Sequence, residues 1–271
     1  MNQSERRIYL IKHLQDKMRS GYPEYYSRYY PQYTTMNIPS DTDGQKSLLR
    51  ALMNVRLPGS ADAEFVRIQD EYLHEENSRR GVVTLADMTE VQPDLYMWKG
   101  DITRLKAGAI VNAANSQMTG CYRPCHNCID NCIHTFAGIE LRNYCDDMMH
   151  KQGYEEPTGR AKLTPAFNLP CDYVIHTVGP VVQGVLTAED ERLLASCYES
   201  CLSVADENNV GSIAFCCIST GVFMFPNDRA AEIAVQTVKE YKEKTGSGIR
   251  VIFNVFKEED EQLYRKLLGQ G

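Results

Sequence analysis

The first 90 residues carry the hydrophobic spacing of α-helices. Apolar side chains recur every three or four positions over residues 8–18, and the same spacing returns over residues 48–52 and 65–72. Between the first two of these segments lies GYPEYYSRYYPQY, in which tyrosines and prolines replace the periodic pattern. We therefore predict an α-helical N-terminal extension over residues 1–90, with an irregular tyrosine-rich segment packed by its amphipathic rings. A ligand-stacking surface is the alternative for these rings.

After Val91 the pattern changes to short runs of β-branched and aromatic residues that alternate with helical stretches. This alternation is typical of an α/β sheet with crossover helices. The predicted strands are residues 95–98, 109–112, 161–165, 173–177, 212–217 and 250–255. The predicted helices are residues 129–149, 188–207, 228–244 and 260–268. We therefore expect an α/β domain over residues 91–271.

Composition narrows the class of protein. Charged residues make up 24% of the chain, and the formal net charge is -7. Because clustered Lys and Arg bind phosphate backbones, this acidic balance disfavours nucleic acid as a partner. No apolar stretch approaches the roughly 20 residues of a membrane span, so we expect no membrane partner either. Ten cysteines without a signal-peptide pattern are typical of the reduced cytoplasm, where we expect the protein.

Three loops that follow predicted strands carry polar groups, at the sheet edge where open α/β sheets bind ligands. They are KGDIT (99–103), VNAANSQ (111–117) and ISTGVFMFPND (218–228). The STG tripeptide predicts either an anion-binding loop or a plain turn. In NAAN, Asn112 and Asn115 can hydrogen-bond a polar ligand or form Asx turns, and the sequence leaves both interpretations open.

Four cysteines and two histidines crowd into GCYRPCHNCIDNCIH, residues 120–134. Thiolate sulfur and imidazole nitrogen are the ligands of zinc, and three protein ligands leave a fourth position open for water or substrate. A redox pair at Cys125 and Cys128 is the functional alternative, but such a pair normally opens a helix after a thioredoxin-like strand. Inert packing is the third possibility. Spacing alone favours the CxxC pair, Cys125 and Cys128, among the zinc ligands.

Six motifs carry a resemblance to a known family. GDIT, AIVNAANSQM, IDNCIHTFAG, VIHTVGP, ISTGVFMFP and VIFNVFKEEDEQLY resemble, in that order, the successive motifs of the macrodomain family. This resemblance covers about residues 91–271 and implies a three-layer α/β/α domain with a mixed central sheet that binds ADP-ribose. CYRPCHNC stands where most of the family is glycine-rich, and it resembles the zinc-containing branch of bacteria and fungi. The helical extension is similar to that branch too.

The resemblance also implies roles for individual residues. Zinc would bind Cys121, His126 and Cys128. Asp101 and the Ile102 N–H would read the adenine, on which Phe256 would stack. The backbone of Ser219, Thr220, Gly221, Val222 and Phe223 would bind the diphosphate, with Phe223 also packing on the distal ribose. Asn115 would hold that ribose, and Asp130 would orient or deprotonate a water, or cap a helix. His134 and His176 are expected to be structural hydrogen bonders.

The expected function is zinc-dependent removal of mono-ADP-ribose from modified proteins, from an ester on an acidic side chain. In bacteria this branch is often encoded beside a mono-ADP-ribosylating sirtuin, which implies a functional link to such a transferase. A reader that binds ADP-ribosylated proteins without cleaving them is the alternative from another class. Hydrolysis of O-acetyl-ADP-ribose is an alternative within the enzymes. Asp130 and the zinc ligands favour an enzyme, because a reader needs neither a base nor an open metal site.

Overall fold

The N-terminal extension is helical, as its hydrophobic spacing predicts. The computed structural model describes residues 1–269; residues 270 and 271, the end of the predicted α/β domain, lie outside the described residues. The helices are α1 (Gln3–Gly21), α2 (Pro23–Tyr29), α3 (Pro31–Thr35), α4 (Thr42–Val55) and α5 (Ala63–Arg79). Asn2 begins α1 with a capping box to Glu5, while Asp41 caps α4 and Asp62 caps α5.

The tyrosine-rich segment is also helical, so our prediction of an irregular segment is wrong. Pro23 and Pro31 each begin a helix, where proline loses no intrahelical hydrogen bond and its fixed φ suits the first turn. With 7 and 5 residues, α2 and α3 are too short to show helical periodicity. Tyr26 packs in the core, and its hydroxyl accepts a hydrogen bond from the Leu57 N–H (2.9 Å).

A mixed seven-stranded sheet forms the centre of the α/β domain. The strands are β1 (Val83–Thr84), β2 (Glu90–Gln92), β3 (Leu95–Lys99), β4 (Leu105–Lys106), β5 (Ala109–Ala114), β6 (Ala161–Pro165), β7 (Tyr173–Val178), β8 (Ser212–Phe215) and β9 (Arg250–Val255). The order of the large sheet is β2-β3-β9-β8-β5-β7-β6, and only its two edge strands are antiparallel to their neighbours. Strands β1 and β4 form a separate parallel pair. The predicted strands are confirmed, although β8 ends two residues early.

Helices cover both faces of this sheet and complete three layers. They are α6 (Ile129–Ala137), α7 (Ile139–Gln152), α8 (Ala188–Glu207), α9 (Asn227–Thr245) and α10 (Glu258–Leu267). Successive residues of β7 point to opposite faces: His176 lies 3.9 Å from Cys145 of α7, whereas Thr177 faces Cys197 of α8. Helices α8, α9 and α10 pack side by side, and α6 lies against α4 and α5 of the extension. The predicted α/β/α architecture is confirmed.

One predicted helix is two. Residues 129–149 are interrupted at Gly138, whose φ of 100° ends α6 and begins α7 in a conformation that favours glycine. Gln69 of α5 occupies the break, where its side-chain oxygen accepts the Ile139 N–H (2.9 Å). A Cβ on Gly138 would stand 2.7 Å from Gln69 Nε2. The break therefore lets the extension dock against the domain.

The extension and the α/β domain share their packing. Ile139 of α7 belongs to the hydrophobic cluster of the extension, and Asn77 of α5 donates to the carbonyl oxygen of Asn168 (2.7 Å). Strand β2 begins at Glu90, the last residue of the predicted extension, so the boundary between residues 90 and 91 stays a prediction. Within residues 1–269, the helices are too short or too polar to cross a membrane.

Candidate active site

The carboxyl ends of four parallel strands bring the predicted site residues to one edge of the sheet. In the spatial order β3, β9, β8 and β5, the loops that follow carry Asp101, Phe256, residues 219–223 and Asn115. Open α/β sheets bind ligands at such edges. Residues from distant parts of the chain thus form one row of loops, which begins beside β3 and ends at the cysteine-rich loop after β5.

Asp101 and Phe256 lie at one end of this row, since β3 and β9 are neighbours. Asp101 Oδ1 accepts hydrogen bonds from the backbone N–H and the hydroxyl of Thr103 (3.0 and 2.6 Å). Within residues 1–269 the Ile102 N–H has no protein acceptor. The Phe256 side chain is 74% exposed. This end therefore offers an open aromatic face beside an acceptor and a donor, which suits a planar heterocycle.

Arg80 is a residue of this end that the sequence analysis missed. Its guanidinium pairs with Asp101 Oδ2, donates to Thr103 Oγ1 (2.8 Å) and lies 3.5 Å from the centroid of the Phe136 ring. Arg80 ends α5, so the extension contributes to the site. No motif reveals it, because the contacts join residues 21 and 23 positions apart, which lie in the extension and in the domain.

Residues 219–223, here called the anion-binding segment for the role that the resemblance implies, form a tight loop after β8. Ser219 is left-handed (φ 65°), and Gly179 leaves it room, because a Cβ on that glycine would clash with Ser219 Oγ. In the described part of the chain, the backbone N–H groups of Gly221, Val222 and Phe223 have no protein acceptor. Successive free N–H groups create a concavity that binds anions. An acidic protein can therefore bind phosphate here without Lys or Arg.

Asp130 lies between two carboxamides at the end of β5. Its Oδ1 accepts a hydrogen bond from Asn112 Nδ2 (2.8 Å), and its Oδ2 lies 3.5 Å from Asn115 Nδ2. Asn115 also forms an Asx turn, in which its Oδ1 accepts the Gln117 N–H (3.0 Å). The local interpretation of Asn115 is thus correct, and the same side chain still faces Asp130.

The surroundings of Asp130 set its protonation. Burial raises the pKa of its carboxyl to about 7, and the hydrogen bond from Asn112 opposes this shift. His134 Nε2 lies 3.6 Å from Asp130 Oδ1, but burial lowers the pKa of His134 well below its ordinary value, so the neutral ring forms no ion pair. Neither His134 nitrogen has a hydrogen-bond partner within residues 1–269. The prediction that His134 is a structural hydrogen bonder is therefore wrong.

Cys128 and Asp130 both lie at the beginning of α6. Cys128 is the N-cap residue, and its sulfur accepts the Asn131 N–H at 3.4 Å. Asp130 is thus not the N-cap, one of the two roles that the sequence left open. It lies within the first turn, where the helix dipole favours a carboxylate.

Cys121, His126 and Cys128 gather their ligand atoms within 4.8 Å of one another. Cys121 Sγ lies 3.6 Å from His126 Nδ1. Tetrahedral zinc, with Zn–S of about 2.3 Å and Zn–N of about 2.0 Å, separates sulfur from nitrogen by about 3.5 Å. The hydrogen bond from Cys128 lowers the pKa of the Cys121 thiol to about 5, so one thiolate is available. These three residues fit zinc, and their number leaves a fourth position for another ligand.

The other two cysteines of the motif have different surroundings. Cys125 is exposed, with a left-handed backbone (φ 52°), and its thiol lies 3.4 Å from the Ser47 carbonyl oxygen. Cys132 lies within α6, 3.5 Å from Arg50 Nη2. Burial raises the pKa of both thiols. A redox pair needs a low thiol pKa, so Cys125 lacks the environment of a reactive member.

A second group of potential ligands, His134, Cys145 and His176, is buried behind Asp130. His176 Nδ1 lies 3.0 Å from Asn112 Nδ2, which places the ring proton on Nε2, 3.0 Å from Thr164 Oγ1. Both ring nitrogens are thereby engaged, and no lone pair remains for a metal. Burial lowers the pKa of His176 to about 3, so the ring is neutral. His176 makes the structural hydrogen bonds that the resemblance implies.

The fold defines an α/β/α domain in which neighbouring strands present free backbone N–H groups after β8 and a buried carboxylate with a cysteine–histidine cluster after β5. Residues 111–234 match the model of the family described as Macro domain. A protein of Treponema medium named protein-ADP-ribose hydrolase is 57% identical over 273 residues, which cover 99% of this chain and 100% of that protein. The chain belongs to the macrodomain family.

Two further comparisons agree with this assignment. A Staphylococcus aureus (strain MSSA476) protein, also named protein-ADP-ribose hydrolase, is 46% identical over 86% of this chain and 88% of its own length. The crystal structure of the Trypanosoma brucei macrodomain in complex with ADP-ribose superposes with a TM-score of 0.63 at 30% identity. It covers 81% of this chain and 95% of that one.

Proposed function

We propose that this chain is a zinc-dependent protein-ADP-ribosyl hydrolase, which removes mono-ADP-ribose from acidic side chains of modified proteins. The observation that carries the proposal is the position of Asp130. Its carboxylate is held by Asn112 and faces Asn115, and it lies two residues from Cys128 of the zinc-type cluster. The names of the Treponema medium and Staphylococcus aureus relatives support the same activity.

The row of loops supplies one contact for each part of ADP-ribose. Asp101 and the Ile102 N–H hydrogen-bond the adenine, and Phe256 stacks on it. The free N–H groups of residues 219–223 bind the diphosphate, in the spatial order that the strands impose. Asn115 binds the distal ribose, whose anomeric carbon then lies beside Asp130.

Asp130 is the general base in this proposal. A buried carboxylate fixed by the carboxamide of Asn112 cannot rotate freely, so one oxygen stays directed towards the ligand. Cys121, His126 and Cys128 would hold the zinc. When bound, the metal supplies a Lewis acid that polarises a substrate oxygen or activates a water. Burial around Asp130 excludes bulk water from the reacting centre.

The experiment follows release of free ADP-ribose from a protein that carries mono-ADP-ribose on Asp and Glu side chains. It compares the protein as purified, after chelation and after zinc is restored. We expect release to stop on chelation and to return with zinc. A substrate modified on serine, run in parallel, tests the proposed linkage. Release from that substrate at the same rate would remove the specificity for acidic side chains.

Two other results would replace the proposed activity. If no sample releases ADP-ribose but calorimetry still detects its binding, the protein is a reader. If only O-acetyl-ADP-ribose is hydrolysed, the substrate is the small molecule and not a modified protein. We further propose a cytoplasmic location and a functional link to a sirtuin-type transferase. The ten cysteines, which are free thiols in the structure, and the resemblance of CYRPCHNC to the zinc-containing branch support these two points.

A further inference from the structure

The loop of residues 119–128, here called the metal loop, makes few backbone hydrogen bonds of its own. Within it the structure shows the His126 N–H donating to the Arg123 carbonyl oxygen (3.3 Å). Its backbone includes left-handed residues at Gly120 and Cys125. Buried or half-buried carbonyl and N–H groups need partners, so side chains must supply what the loop lacks. Most of these side chains lie far away in the sequence.

Arg50 of α4 and Asn131 of α6 bind three carbonyl groups of the metal loop. Arg50 Nη2 donates to the His126 carbonyl oxygen (2.8 Å) and to Asn131 Oδ1 (2.9 Å). Asn131 Nδ2 then donates to the carbonyl oxygens of Cys121 (3.3 Å) and Arg123 (3.0 Å). Asn131 is fully buried. The backbones of two metal ligands, Cys121 and His126, are therefore fixed by one connected pair of side chains.

Asn54 of α4 fixes the middle of the metal loop. Its Oδ1 accepts the Cys125 N–H (2.9 Å), while its Nδ2 donates to Thr135 Oγ1 (3.0 Å). The Thr135 hydroxyl donates to the carbonyl oxygen of Asn131 (2.7 Å). Asn54 is 1% exposed, so loss of its oxygen would leave a half-buried N–H without a partner.

The end of α4 is tied to the start of the metal loop by Arg142 of α7. This buried guanidinium donates to the carbonyl oxygens of Met53, Asn54 and Arg56 (3.1, 2.8 and 2.6 Å), at the negative end of the helix dipole. It also donates to the Thr119 carbonyl oxygen (2.7 Å). A shift of α4 would thus move partners at both ends of the loop.

We propose that helix α4 of the extension holds the metal loop in its ligand-gathering shape, with Arg50 and Asn54 as positioning residues for zinc. This inference rests on the proposed zinc site. The competing explanation is that these contacts merely attach the extension to the domain. Asn77 separates the two explanations: it too is a buried asparagine that joins the extension to the domain, but it donates to the carbonyl oxygens of Phe136 and Asn168 and accepts from Arg80, and it makes no hydrogen bond to the metal loop within residues 1–269.

The experiment measures zinc affinity, by competition with a chromophoric chelator, in the full chain and in the variants Arg50→Lys, Arg50→Met, Asn54→Ala and Asn77→Ala. Thermal unfolding of each metal-free protein gives its stability. Outer-shell contacts around a metal typically contribute about 10- to 100-fold to its affinity. We expect losses in this range for Arg50→Met and Asn54→Ala. Arg50→Lys keeps the charge without the planar fork, so it should lose less.

Asn77→Ala should lower the melting temperature as Asn54→Ala does, and its zinc affinity should equal that of the unchanged protein. Hydrogen exchange in the metal-free proteins provides a second readout, because Asn54→Ala should expose the Cys125 amide and Asn77→Ala should not. Equal zinc affinities in all variants would overturn the inference and leave the zinc site intact. An unchanged protein that binds no zinc would instead overturn the proposed metal site. An equal loss of zinc affinity in Asn77→Ala would show that the contacts of Arg50 and Asn54 merely attach the extension to the domain.

Discussion

Two parts of the site, here called the anion-binding end (residues 219–226) and the metal end (the metal loop), are built in different ways. Residues 219–226 fold on their own backbone: the Met224 N–H donates to the Gly221 carbonyl oxygen (3.1 Å), and the Phe225 N–H to that of Ser219 (3.0 Å). The metal loop depends instead on Arg50 and on other side chains from outside the loop. An anion needs only a row of N–H groups, which a short turn provides. Three converging side chains need external support, and the helical extension supplies it.

Replacement of Asp130 should have the largest effect. It should lower turnover strongly and change ADP-ribose affinity little. Asp130→Asn keeps the size of the side chain but removes the base, so we expect turnover to fall by about 10²- to 10⁴-fold. ADP-ribose affinity, set mainly at the other end, should change far less. Timed assays of ADP-ribose release measure turnover, and calorimetry measures ADP-ribose affinity.

Asp206→Asn is the matched control. Asp206 accepts hydrogen bonds from the hydroxyls of Tyr241 and Ser247, and it lies at the end of α8 that leads into the start of β8, away from the loops of the site. It should leave turnover unchanged. A mutant Asp130→Asn with near-normal turnover would remove Asp130 from the mechanism and transfer the chemistry to the metal end alone.

A side chain at Gly179 should damage the anion-binding segment and spare the metal loop. The Cβ of Gly179→Ala would clash with Ser219 Oγ and push residues 219–223 out of position. Such overpacking costs about 1–3 kcal/mol, which corresponds to roughly 5- to 150-fold in ADP-ribose Kd if the whole cost falls on binding. Zinc affinity should stay constant. Arg50→Met should show the opposite result, with weaker zinc binding and an unchanged ADP-ribose Kd. If both variants lose both affinities, the two ends are coupled.

Local patterns placed residues 219–223 at the sheet edge, although they left open whether this loop binds an anion, and they revealed less about what holds the metal loop. Ser219–Thr220–Gly221 follows an apolar strand directly, so its place at the sheet edge follows from neighbouring residues. The ligand types Cys121, His126 and Cys128 are also visible in the sequence. What holds them is not, because the hydrogen bonds of Arg50 and Asn54 join residues more than 70 positions apart. Hydrophobic periodicity carries no information about such polar contacts.

The errors in the predicted fold have related causes. The helical pattern of residues 129–149 continues through Gly138, because Ile133 and Ala137 before it and Leu141 after it face the same core. The break is held by Gln69 of the extension and by Asn168, whose side chain donates to the Ala137 carbonyl oxygen (2.9 Å), and both contacts are distant in sequence. Cys128 was assigned to zinc by resemblance, and its second role as the N-cap of α6 was missed because cysteine is not a usual cap.

Removal of the Phe256 ring tests the far end of the row. Phe256→Ala should weaken ADP-ribose binding by about tenfold, since stacking of a base on an aromatic ring contributes about 1–3 kcal/mol. Binding of ribose 5-phosphate, which has no base, should be unaffected. Tyr173→Ala is the control. This exposed ring lies at the start of β7, whereas the loops of the site follow the carboxyl ends of the strands. Equal losses for both ligands would place the adenine elsewhere.

The smallest expected effect is a pH dependence at the interface between α7 and the extension, where Glu140 meets Gln69 of α5. Burial, together with the charge of Asp70, raises the pKa of Glu140 to about 7 from an ordinary value of 4.5. The folded protein therefore binds more protons than the unfolded chain between about pH 4.5 and 7, and this group's contribution to stability is lost as pH rises through that window. Glu140→Gln cannot titrate, so its urea midpoint should fall less than that of the unchanged protein between pH 5 and pH 7. Because Gln69 bonds Glu140 and also occupies the break at Gly138, the same rise in pH should lower the protection factors of amides in the metal loop, measured relative to their intrinsic exchange at each pH, while those of residues 219–226 stay constant. An equal loss of protection in both segments, or parallel pH profiles for the two proteins, would contradict a dependence of the metal loop on the extension through this interface.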